Sequence, residues 1–145
     1  SRGDILAEAK ASGTIQTAAV AVSASGNNSI GGAATVNVST GQTRTSTNGA
    51  VLEADGALTL KATDAQTIQS LAGGVALSSG GAGVGAALAA NVIVHDTVVE
   101  ANGSALTARG GDLSLLSSNA ALIESLSVGL AVAGGSAAVA GSLKG

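Results

Sequence analysis

"LTLKATDAQTIQSLAGG", residues 58–74, has a near twin 53 residues earlier, "ILAEAKASGTIQTAAVA" at 5–21. A third version, "LSLLSSNAALIESLSVG", stands at 113–129. Superposing Ile15, Ile68 and Ile123 gives steps of 53 and 55 residues. A glycine opens each line, Gly3, Gly56 or Gly111, followed by Asp4, Ala57 or Asp112. Apolar or small residues then fall on every second position: Ile5, Leu58 and Leu113, then Ala7, Leu60 and Leu115, then Ala9, Ala62 and Ser117. A period of two is the mark of a strand with one face turned inward.

The rest of the chain repeats as well, at a step of 54. Asn37-Val38 matches Asn91-Val92, and Asn48-Gly49 matches Asn102-Gly103. The 145 residues therefore hold two full copies and most of a third, at 3–55, 56–110 and 111–145. They form one repeat segment, and the chain reads as a fragment of a longer one. A fixed period of this length signals units that bury a face only against their neighbours. Short runs of Val, Ile, Leu and Thr alternate with Gly, Asn, Asp and Ser, which predicts strands of about four to eight residues between turns. The Gly-Gly pairs at 31–32, 73–74, 80–81, 110–111 and 134–135 read as turns on the same rule. A repeat of 54 then divides into about three coils of about 18 residues, or about eight coils and roughly 40 Å in all by the strand spacing. The expected fold is all-β: a β-solenoid, in its right-handed parallel β-helix form.

Composition supports small, close-packed interiors. The chain has no Phe, Tyr, Trp, Met, Cys or Pro, and its 46% apolar residues are Ala, Val, Leu and Ile beside 22 Gly. Small side chains cannot fill a wide core, so the backbones must approach closely. Only 10% of residues are charged, which argues against disorder. The net charge of −3 with six basic residues gives no basic stripe for nucleic acid. Three long stretches, 11–43, 65–94 and 126–143, carry no formal charge. They are rich in Ser, Thr, Asn and Gly, alternate with period two and lack aromatic belts, so no membrane-spanning helix is expected. Residues 72–94 place apolar side chains on both faces of a strand, which implies burial on both sides or an outer face covered by a neighbouring sheet or chain.

The pattern G-D/A-L-x-L-x-A, continued by I-x-S-L-A-x-G-x-A and by "GGAGVGAALAANVIVHDTVVEANGSALTARGGDLSL" at 80–115, resembles the repeats of very large bacterial exoproteins of the filamentous-haemagglutinin and leukotoxin type. The resemblance covers essentially the whole chain. It implies a secreted, surface-attached rod with adhesive or biofilm-matrix roles, exported by two-partner secretion. Its implied partners are neighbouring repeats or further copies, with a host-cell or matrix ligand as the second class. A self-polymerising extracellular filament, stacking end to end, is the alternative reading.

The residues singled out are structural. Asn37 and Asn91 are candidates for an inward amide ladder. Asn48 and Asn102 open Asn-Gly turns, and Gly3, Gly56 and Gly111 mark the turn before each repeat. No catalytic, cofactor or metal site is expected. Arg2-Gly3-Asp4 spells a tripeptide that some integrins read, but Gly3-Asp4 occupies the repeat position of Gly111-Asp112. Glycines 80, 81, 83 and 85 match neither a phosphate loop nor a dinucleotide fingerprint nor a calcium nonapeptide, and read as tight turns or close sheet packing. His95-Asp96 reads as a turn after a strand at 91–94, with too few ligands nearby for a metal. Thr43, Thr45 and Thr47 form a T-x-T-x-T run that an exposed flat face could use to order water.

Overall fold

The computed structural model describes residues 2–135 and 137–144, without the side chain of Lys144. Among them it is all-β. Strands β1 (Ile5–Ser25), β4 (Leu58–Ser78) and β7 (Leu113–Ala133) form one sheet in the order β1-β4-β7. Strands β2 (Ser29–Asn48), β5 (Ala82–Asn102) and β8 (Ala137–Lys144) form a second, and the short β3 (Val51–Ala54) and β6 (Ala105–Ala108) a third. Pairing is parallel, with β3 on β6 from Val51↔Ala105 to Ala54↔Ala108 and β5 on β8 from Ala82↔Ala137 to Ala89↔Lys144. The sequence step is thus the stacking step, and the chain is a parallel β-solenoid.

The repeat makes one coil rather than three. Each coil has two strands of 20 or 21 residues and one of four, so the described chain has fewer than three coils in place of eight. Small residues serve turns and close approaches alike, so not every Gly-Gly pair marks a corner of the coil. Gly31-Gly32 and Gly73-Gly74 lie inside β2 and β4, while the pairs at 80–81, 110–111 and 134–135 do fall at bends. Inside the strands glycine serves a close approach. A Cβ on Gly31 would overlap the Val75 carbonyl, and one on Gly74 or Gly85 would overlap the carbonyl of Ala86 or Leu130. Only a missing side chain lets backbones meet at that distance.

By contacts the chain divides into two compact units, 1–13 with 39–66 and 93–121, and 14–38 with 67–92 and 122–145. The first unit contains the β3-β6 sheet. Its core is Ala54, Leu58 and Leu60, packed by Ile5, Ala7, Leu52, Val99, Leu106 and Ala108. The second unit is cored by Ala72, Ala87 and Ala89 beside the inward glycines. In β4 strict alternation runs from Leu58 to Ser78, with even positions buried.

The turns stack as the strands do. Gly56 N donates to the Gly3 carbonyl at 3.2 Å, and the Asp4 carboxylate accepts from Ala57 N at 2.8 Å. A Cβ on Gly111 would come 2.7 Å from Ala57 N. Asn48 and Asn102 are followed by Gly49 and Gly103 at φ +60° and +55°, the left-handed conformation an Asn-Gly turn needs. Gly49 N donates to the Asn102 carbonyl at 2.9 Å.

Neighbouring glycines give a direct test. Gly31→Ala should cost about 3 kcal/mol, at the upper end for overpacking, because its Cβ would meet backbone that cannot move aside. Gly32→Ala, whose Cβ would meet nothing closer than 3.8 Å, should be neutral or slightly stabilising. Thermal unfolding of the two variants measures the difference.

Candidate functional site

The densest polar cluster sits on the inner face of the first unit. β4 alternation turns Asp64 and Gln66 inward, and β2 brings Ser39 and Thr43 from the opposing sheet. His95 lies in the middle of β5, not at a turn; its strand continues to Asn102. The alternation Asn91, Ile93, His95, Thr97 carries its imidazole inward. The ring fills the space over Gly41, whose missing Cβ would stand 2.7 Å from the ring Cε1.

Asp64 is fully buried and accepts from Thr43 Oγ1 at 2.8 Å, Gln66 Nε2 at 2.8 Å and His95 Nδ1 at 3.0 Å. Ser39 Oγ lies 3.0 Å from His95 Nε2. An ionised carboxylate only accepts, so Nδ1 carries the ring proton and, in the neutral ring, Nε2 accepts from the Ser39 hydroxyl. Asn119 of β7 donates to the His95 carbonyl at 2.8 Å. Burial alone would push the Asp64 carboxyl up. The hydrogen bonds from Gln66, Thr43 and His95, with the attraction of the imidazole, outweigh it and hold the group below its ordinary value.

The order serine, imidazole, carboxylate is that of a nucleophilic triad. Catalysis also needs a place beside the hydroxyl for a reacting carbonyl and donors for its oxyanion. Here the imidazole itself fills the available space over Gly41, and its side chain is only 9% exposed. What the cluster does is tie β2, β4 and β5 together through satisfied polar groups.

In the second unit, Asn37 Nδ2 donates to Asn91 Oδ1 at 2.7 Å and to Thr17 Oγ1 at 2.9 Å. Asn91 in turn donates to Ser70 Oγ at 2.9 Å. Asn37 and Asn91 thus form an amide ladder along the stack that also crosses to the facing sheet. The threonines of the T-x-T-x-T run are not on an exposed rank. Thr43 and Thr45 are buried, and Thr45 Oγ1 donates to the Lys61 carbonyl at 2.7 Å. Asp4 of the Arg-Gly-Asp triplet is held by the Ala57 amide of the next coil.

The outer faces of the two units differ in kind. Those of the first unit carry ion pairs, Lys61 with Glu8 at 3.2 Å, Arg109 with Glu53 at 2.9 Å, and Arg44 with Glu100. Of the six basic and nine acidic residues, only Glu124 and Lys144 belong to the second unit. Apart from Thr14 and Thr67, its outward strand positions are Val, Leu, Ile, Ala and Gly beside the row Gln16, Gln69 and Glu124, whose side chains are hydrogen-bonded at 2.6 Å. Among the described residues no helix is long and apolar enough to cross a membrane. No family model, no curated protein and no solved structure matches the chain.

His95 had one legible signal. Its repeat partner 54 residues earlier is Gly41, the pairing expected when a ring overlies a neighbour without a side chain. Asp64 had none, because the facing sheet is set by the coil and not by the repeat, whereas Ser39, two residues before Gly41, shares a sheet with His95.

The cluster predicts coupled energetics. His95→Ala should cost about 3 kcal/mol, leaving Asp64 buried with one partner fewer. Gly41→Ala should be costly in the native chain and nearly free in the His95→Ala background, a coupling that a double-mutant cycle measures. A carboxyl held low when folded stabilises above its ordinary value, about 3.9, and less as pH falls through the folded value. Acid unfolding below about pH 4 should therefore be less steep in Asp64→Asn than in the native chain.

Proposed function

We propose that the chain is a structural segment of a secreted fibre on a bacterial surface, a stiff rod that serves attachment or biofilm matrix. One observation carries the reading: successive repeats stack in parallel and in register, with side-chain ladders such as Asn37–Asn91 repeating at the coil spacing. Such a stack lengthens by adding copies and gains rigidity from backbone pairing without any disulfide. The resemblance to filamentous-haemagglutinin repeats supports the same reading and implies a location outside the cell.

A second reading has an observation of its own. The parallel strand ladders that join β3 to β6 and β5 to β8 are of a kind that separate chains of the same spacing would continue. A filament of separate chains stacked end to end uses those ladders. Electron microscopy of the native material decides. Rods continuous with one long anchored chain select the first reading. Filaments with a spacing of about 4.8 Å built from separate chains select the second. Compact particles overturn both.

A further inference from the structure

We propose that Asn102 is an acceptor for an N-linked sugar, at the one acceptor triplet that the fold leaves open. The proposal goes beyond the rod. It rests on that reading in one respect, since such triplets receive sugars in exported chains.

Three triplets of the form Asn-x-Ser occur: Asn27-Asn28-Ser29, Asn37-Val38-Ser39 and Asn102-Gly103-Ser104. A transferase needs a free carboxamide and, two residues on, a hydroxyl within its reach, both on a segment clear of the sheets. Asn37 fails on the first count. It is only 6% exposed, and its Nδ2, the atom that would carry the sugar, already donates to Asn91 Oδ1 and to Thr17 Oγ1. Asn27 fails on the second. The amide is exposed, but Ser29 is buried and its hydroxyl points inward to the Ser23 carbonyl at 2.9 Å.

Asn102-Gly103-Ser104 meets both conditions. Asn102 and Gly103 are exposed at the turn between β5 and β6. A Cβ built on Gly103 would meet nothing within 4 Å, so the turn stands clear of its neighbours. The bonds that fix the turn, from Gly49 N at 2.9 Å and from Ser104 Oγ at 3.1 Å, end on the Asn102 carbonyl and not on its carboxamide. The left-handed Gly103 folds the chain back so that the Ser104 hydroxyl lies beside Asn102. The repeat supplies a control. Asn48-Gly49 makes the same turn one coil earlier, with its glycine at φ +60°, but Ala50 stands where Ser104 does.

The donor is a sugar activated on a diphosphate. Asn102 Nδ2 attacks the anomeric carbon, and the new C–N bond forms as the C–O bond to phosphate breaks. The diphosphate leaves with the electron pair, one amide proton passes to a base of the transferase, and nothing is oxidised or reduced.

The test treats the folded 145-residue chain with a purified oligosaccharyltransferase and a polyprenyl-diphosphate-linked oligosaccharide. Trypsin separates the candidates, because Asn27 and Asn37 fall in peptide 11–44, Asn48 in 45–61 and Asn102 in 62–109. The expected result is sugar on Asn102, and at least about tenfold less on Asn37, which reacts only when its ladder opens. Ser104→Ala should abolish the transfer. Ala50→Ser should create it at Asn48, with circular dichroism verifying that both variants keep their strand content. Native material, treated with an amidase in heavy-oxygen water, should carry labelled Asp at position 102. No sugar on Asn102, equal sugar on Asn37 in the folded chain, or undiminished transfer to Ser104→Ala overturns the proposal. So does unlabelled Asp at 102, which would mark spontaneous deamidation of an Asn-Gly pair instead. Micrographs keep the two readings apart. Rods without sugar on Asn102 overturn this proposal and leave the rod, whereas sugar on compact particles leaves this proposal and overturns the rod.

Discussion

Every feature of this chain follows from how closely its facing strands approach. In the second unit glycines stand where the facing backbones approach most closely, and a single Cβ at Gly31, Gly74 or Gly85 would overlap a carbonyl. That spacing excludes aromatic residues, leaves little apolar area to bury inside and throws stability onto backbone pairing. Parallel stacking supplies it, since strands of successive coils are hydrogen-bonded neighbours, as in β5 on β8 from Ala82↔Ala137 to Ala89↔Lys144. The glycines that would weaken an isolated strand are what allow these sheets to meet.

Where the first unit turns through the β3-β6 sheet, the interior holds larger groups. Leu58 and Leu60 fill part of it, and polar groups fill the rest. A buried carboxylate such as Asp64 survives only with several donors, and it has three side-chain partners. The imidazole that serves it needs its own space, which Gly41 provides one coil away. The Asn37–Asn91 ladder follows the same rule in the second unit: polar groups enter the interior where a stacked neighbour or the facing strand satisfies them.

The exterior divides in the opposite sense. Ion pairs decorate the outer faces of the first unit, where exposure and mutual screening make each pair worth little. The second unit has uncharged rows outside and an interior of mostly small residues, Ile68 being the largest of its fully buried side chains. Apolar residues for which the interior has no room stand outward there.

Much of this was legible in the sequence. The glycine-led lines at Gly3, Gly56 and Gly111, the step near 54 and the period of two fixed parallel stacking and the inward face of β4, because identical residues one repeat apart must share a position. The Asn-Gly turns at 48–49 and 102–103 were equally plain, since their glycines take the left-handed conformation. The number of strands per coil was not legible. Glycine has no side chain and so marks a turn and a close approach alike, and only the facing backbone distinguishes Gly31-Gly32 from Gly80-Gly81. Nor was the meeting of Ser39, Asp64 and His95. Asp64 lies 25 positions from Ser39 and 31 from His95, distances that correspond to no repeat step, and only the turn of the coil brings β4 to face β2 and β5.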